Sequence, residues 1–205
     1  MHAAQAVVDC EQLRASWPAQ PVNTMSALAL VAVGMVFVWR GPSRLRVIGL
    51  VVTATGAGSV VFHGGPSRST EWAHDSSLAL LVLSLALVAG SRWLLTPTGA
   101  VALAVVSGLA LWVAPGLAEA GTALAAVVAG GRELGAVQSR RRATLVAAAA
   151  LLAIGAFFAV AGRTDGLLCR PPAWWQPHAA WHLLASAALF VYLGGRHRLS
   201  TTPIG

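Results

Sequence analysis

The chain has no lysine and little charge of either sign. Charged residues fill 10% of its 205 positions, where a soluble domain carries roughly 25%. That shortfall argues against a water-solvated surface and for a chain solvated by lipid. Acidic residues are the scarcer sign, seven against fourteen basic ones, and every basic residue is arginine. The chain also lacks internal repeats and low-complexity linkers. No basic stretch precedes the first apolar segment, as one does in a secretory leader. That segment is therefore expected to be a retained helix.

What remains is apolar, at 57% of residues. A helix needs about 20 mostly apolar residues to cross a bilayer. Seven stretches qualify: 22–39, 45–62, 76–90, 93–113, 117–131, 144–162 and 178–194. They predict an all-α, seven-helix transmembrane bundle. It forms one domain over residues 1–205, with an N-terminal tail (1–21) and a C-terminal tail (195–205). Several stretches are short, which predicts tilt or local bilayer thinning. Pro115-Gly116 separates the fourth stretch from the fifth, as such pairs mark turns. The abundant Gly and Ala let helices approach closely in lipid and carry no chemistry.

A pI near 11.4 would suggest nucleic acid in a soluble protein. Here the arginines fall between apolar segments, so no nucleic-acid partner is expected and the charge sets orientation instead. On the side of the N-terminus lie Arg14, Arg68, Arg163 and Arg170. On the other lie Arg40, Arg44, Arg46, Arg92, Arg132, Arg140, Arg141, Arg142, Arg196 and Arg198. Of the acidic residues only Glu133 shares the arginine-rich side. The bias puts the N-terminus outside and the C-terminus in the cytoplasm, which requires an odd number of spans. The two cysteines, Cys10 and Cys169, then share the outer layer, where disulfides persist. A Cys10–Cys169 bridge is expected, with two unpaired thiols as the alternative.

Histidine carries the chemistry. His63 ends the second span, His74 opens the third, and His178 and His182 open the seventh. All four lie at outer helix ends. The i, i+4 spacing of His178 and His182 puts both imidazoles on one helix face. With His63 from a facing helix they make a three-histidine set with one open position, for which zinc is the usual metal. A lone HxxxH is weak, but ionisable groups in spanning segments are costly and usually functional. The residues between the two histidines are Ala179, Ala180 and Trp181, so the glutamate base of HExxH proteases is missing. Asp75 is the candidate replacement. It could take a proton from a metal-activated water, hold a ligand histidine by its other ring nitrogen, or cap the third helix. Ser59, at i−4 from His63, could hydrogen-bond an oxyanion or be satisfied by its own helix. His74 is a fourth ligand or, by preference, a headgroup-level surface residue. Trp72, Trp174, Trp175 and Trp181 fit an interfacial belt.

Together these residues resemble the alkaline ceramidase family, within the wider group of seven-helix membrane hydrolases that includes the adiponectin receptors. Asp9-Cys10-Glu11 resembles the family's Cys-Glu start. The stretch Pro21-Val22-Asn23-Thr24-Met25-Ser26 resembles its Asn-Thr-x-Ser entry to helix one. Gly58-Ser59-Val60-Val61-Phe62-His63, followed by Asp75, resembles its Gly-Ser-x-x-Phe-His end to helix two. His178-Ala179-Ala180-Trp181-His182 resembles its His-x-x-Trp-His start to helix seven. The resemblance implies a zinc-dependent lipid amidase in the membrane. It makes His63, His178 and His182 the zinc ligands, Asp75 the proton acceptor and Ser59 the transition-state donor. It also pairs Cys10 with Cys169. The family's calcium site matches less well. Glu11 remains, but Val8, Leu13 and Gln20 stand where further ligands would be expected, so calcium is a doubtful cofactor.

The expected protein is thus a multi-pass hydrolase of a bacterial cell membrane. It would cleave the acyl amide of a ceramide-like or other long-chain lipid. A zinc-stapled receptor or sensor without catalysis, and a lipid esterase, are the alternatives.

Overall fold

A computed structural model describes residues 9–87, 96–114 and 139–200. Among them the chain is all-α, with six helices. These are α1 (Pro21–Arg40), α2 (Ser43–Gly64), α3 (Arg68–Leu87), α4 (Pro97–Val113), α5 (Ser139–Ala161) and α6 (Pro177–Ser200). Among the described residues three apolar stretches are long enough to cross a membrane: Pro21–Arg40, Ser43–Gly64 and Arg142–Ala161. Pro97–Val113 is a shorter apolar helix. Together they suggest a multi-pass membrane protein. The expected span at 117–131, and its boundary at Pro115-Gly116, lie outside the described residues.

Local chemistry explains where the helices start. Pro21 opens α1, where its missing N–H costs nothing. The next two amides, of Val22 and Asn23, each donate to one oxygen of the Glu11 carboxylate at 2.8 Å. That negative charge also suits the positive end of the helix dipole. α4 starts at Pro97 rather than residue 93, with the Thr96 hydroxyl accepting from the Gly99 amide at 3.1 Å.

The largest departure from expectation is α3, which begins at Arg68 rather than 76. Ser67 and Thr70 cap it reciprocally: the Ser67 amide donates to the Thr70 hydroxyl and the Thr70 amide to the Ser67 hydroxyl. This polar opening turn carries no apolar run, so hydropathy does not reveal it. His74 and Asp75 therefore lie inside a helix, and Asp75 is not its N-cap.

Helix α1 packs on both α2 and α6, α2 packs on α3, α3 on α4, and α5 on α6. The buried core joins Leu30 and Phe37 of α1, Ile48 and Val52 of α2, Leu81 of α3 and Leu193 of α6. The α1–α2 contact is made by glycine. A Cβ on Gly49 would sit 2.8 Å from the Gly34 carbonyl oxygen, and one on Gly34 would sit 2.6 Å from the Gly49 oxygen. Small residues permit such backbone contact in membranes, where dispersion rather than the hydrophobic effect holds helices together. Large apolar side chains point outward instead. Val105 and Leu109 of α4, and Val146, Ile154, Phe157 and Val160 of α5, are all exposed. Water would penalise that surface and hydrocarbon would not.

Polar structure gathers at one end. Residues 9–20 lie across the C-terminal end of α2 and the α5–α6 loop. The Ala19 amide donates to the Gly64 carbonyl, Gln20 to His63, Cys10 to Gly162 and Gln12 to Pro171. The Cys10–Cys169 disulfide is formed, with the Cα atoms 5.3 Å apart. This strapped end holds the histidines.

Candidate metal centre

His63 occupies the last turn of α2, and His178 and His182 the first turns of α6. Their ring centroids lie 5.1 Å apart for His63 with each α6 histidine, and 4.7 Å apart for His178 with His182. One ring nitrogen from each lies within 4.8 Å of the other two, so the three could hold a metal ion. His63 and His182 are fully buried.

The hydrogen bonds make this more specific than proximity. Each Nδ1 has an acceptor. His63 Nδ1 is 2.7 Å from Gln20 Oε1, and the Gln20 amide nitrogen is turned to the Glu11 carbonyl. The imidazole must therefore donate. His178 Nδ1 is 3.0 Å from Asp9 Oδ1, a carboxylate that only accepts. His182 Nδ1 is 2.9 Å from the Ser26 hydroxyl, whose own proton goes to the Asn23 carbonyl. All three rings thus carry their proton on Nδ1 and leave a lone pair on Nε2. Those three Nε2 atoms are buried and have no hydrogen-bond partner in the protein.

A buried polar atom without a partner costs roughly 1–3 kcal/mol. Three of them in one cluster make poor core packing and a good ligand set. Metal-bound histidine takes this form, with the second nitrogen fixed by a carboxylate, carbonyl or similar acceptor. The residues present fit a divalent metal.

His74 stands beside this set rather than in it. Its ring is 6.1 Å from that of His63 and 5.2 Å from Phe62. Its Nδ1 is 2.9 Å from Asp75 Oδ1. It is half-buried rather than a free surface residue. Asp75 is brought to the site's edge in that pair. Glu71, one turn earlier at the helix's polar start, has its carboxyl raised above the usual range, by burial first and Asp75 second, with His74 opposing. Ser59 is buried one turn below His63.

Gly58 sets how close α3 comes to these groups. A Cβ there would meet the Ala73 carbonyl at 3.2 Å and the His74 Cα at 3.3 Å. The Thr55 hydroxyl meanwhile reaches the Ser77 carbonyl at 2.9 Å, tying α2 to α3. A Gly58→Val chain is expected to be less stable by about 1–3 kcal/mol, the usual cost of overpacking a close contact; unfolding measured beside wild type checks it.

Sequence reading brings out the three histidines but not what holds them. Asp9 and Ser26 lie inside recognised motifs without a role, and Gln20 registers only as a missing calcium ligand. The available signal is that each ligand histidine needs an acceptor for its second nitrogen. The polar residues flanking the start of α1 are the ones at the right depth. Trp72, expected on an interfacial belt, has a polar anchor: its indole N–H donates to the Gly108 carbonyl at 2.8 Å. No family model matches this chain, and no curated protein matches it either.

Proposed function

We propose that this protein is a membrane-embedded zinc hydrolase that cleaves the acyl amide bond of a ceramide-like or other long-chain lipid, releasing a fatty acid and an amine. One observation carries the reading: the three clustered histidines each have a buried Nε2 without a partner, on a ring whose Nδ1 is held by another side chain. The resemblance to alkaline ceramidases supplies the substrate class. The arginine distribution supports the N-outside orientation. α4 ends beside the histidine end, where Arg68 lies 5.5 Å over the Trp112 ring. α5 runs from the opposite end back to Gly162, beside Cys10. These end points support a seventh span between them.

His63, His178 and His182 would hold the metal. When bound, zinc polarises a carbonyl and lowers the pKa of water toward about 7. Asp75 accepts the water proton and returns it to the departing amine, the double duty of a general base. His74, hydrogen-bonded to Asp75, fixes the carboxylate's orientation. The Ser59 hydroxyl donates to the negative charge that develops on the acyl carbonyl oxygen as water adds. His74 is not one of the three histidines whose ring nitrogens cluster; a set of three protein ligands would leave a position open, which favours catalysis over a structural staple.

Elemental mass spectrometry of the detergent-purified chain should find about one zinc per molecule. Incubation with an N-acyl long-chain amine and with the matching ester should release fatty acid from the amide. A well-folded, zinc-free protein would sink the proposal. Cleavage of the ester alone would reassign it as a lipid esterase.

A further inference from the structure

Asp9 belongs to none of the six helices, yet its two carboxylate oxygens face two different ligand histidines. Oδ1 is 3.0 Å from His178 Nδ1, a hydrogen bond. Oδ2 is 3.6 Å from His63 Nδ1, beyond a hydrogen bond but well within ion-pair range. His63 and His178 stand on separate helices, α2 and α6, each packed against α1. The Asp9 carboxylate meets the Nδ1 side of both. Its backbone is held independently of them. It pairs with Arg163 in an isolated β-bridge, its neighbour Cys10 donates to the Gly162 carbonyl at 3.1 Å, and Cys10 is bonded to Cys169. The carboxylate is thus presented from a platform anchored to the α5–α6 loop.

We infer that Asp9 is a positioning residue of the metal centre, a shared carboxylate that orients His178 directly and supports His63, and so sets metal affinity from outside the ligand shell. This rests on the metal-site reading above. An acceptor on a ligand's second nitrogen fixes its tautomer and rotation and raises its basicity, and losing it typically costs about 10–100-fold in metal affinity. A carboxylate also offsets the charge of a dication more than a neutral amide does. The other two acceptors, Gln20 and Ser26, are neutral, so Asp9 is the anion among the three. The bland competing role is a tether that merely closes the N-terminal segment onto the bundle. It predicts lost stability without a specific effect on metal.

The experiment compares wild type, Asp9→Asn and Asp9→Ala in detergent, with the disulfide intact. Zinc affinity is read by competition with a chromophoric chelator, and site geometry by the visible absorption of the cobalt-substituted protein. Asp9→Asn keeps the shape and one acceptor, so the metal-free unfolding temperature should match wild type while zinc affinity falls. Asp9→Ala should lose about 10–100-fold in affinity, with an altered cobalt band. Affinity and cobalt spectrum unchanged in both variants would overturn the inference. So would a loss of metal-free stability in Asp9→Ala with Asp9→Asn binding zinc normally, since that is the tether's signature. Wild type that takes up neither zinc nor cobalt would instead bring down the metal-site reading, and the role of Asp9 with it.

Discussion

His182→Ala should lose its zinc and all measurable hydrolysis, whereas Asp75→Asn should keep its zinc and lose only the reaction. Removing His182 deletes a buried ligand and strands the Ser26 acceptor that served it. Loss of an outer partner costs about 10–100-fold in affinity, and loss of the ligand itself costs more. Asp75 touches none of the three ligand rings through a hydrogen bond; its contact is with His74. Its replacement should leave metal content at wild-type level. The rate should drop by about 10²–10⁴, the usual range for general acid–base catalysis. Ser59→Ala should lose about 10²–10³ in rate, as for a lost oxyanion donor, with zinc retained. Metal content and initial rate, measured on the same preparations, separate the cases. Zinc lost in Asp75→Asn would make Asp75 part of the metal shell. A rate within twofold of wild type in that variant would remove Asp75 from the mechanism.

What the sequence shows and hides follows from which forces act at each position. Long apolar helices are legible because hydrocarbon demands them: α1 and α2 begin and end within two residues of expectation. The first two turns of α3 are not, because they are held by serine and threonine caps and carry charge. α6 extends to Ser200 rather than 194, since its last turns bear arginine and histidine and leave no apolar signal. The histidine pair is legible because i, i+4 spacing is a property of any helix. The third ligand follows from depth alone. Asp9 and Gln20 are hidden because they reach the site through chain outside any helix, where no periodicity says which way a side chain points. The disulfide is the exception. Two cysteines in one layer suffice to pair them, and the pairing carries residue 9 to the histidines.

That pairing sets up the second large effect. The double variant Cys10→Ser, Cys169→Ser should unfold at a lower temperature and bind zinc more weakly. The bridge spans 159 residues, for which loop-closure entropy in a free chain gives about 5 kcal/mol. Helices that stay inserted keep the unfolded chain from exploring that space, so about 2–4 kcal/mol is the expected loss. For a chain of this size it corresponds to a drop of about 5–15 °C. The zinc effect has a separate cause. Cys10 adjoins Asp9, and without the bridge the platform loses its covalent tie and keeps only hydrogen-bonded ones, to Arg163, Gly162 and Pro171 and through Glu11 to α1. Asp9 should then sample positions away from His178, and zinc affinity should fall toward that of Asp9→Ala. The two readouts are independent. A lower unfolding temperature with unchanged zinc affinity would make the bridge a fold staple and nothing more. A fall in both would show that the strap over the bundle's end also governs how tightly the histidines hold their metal.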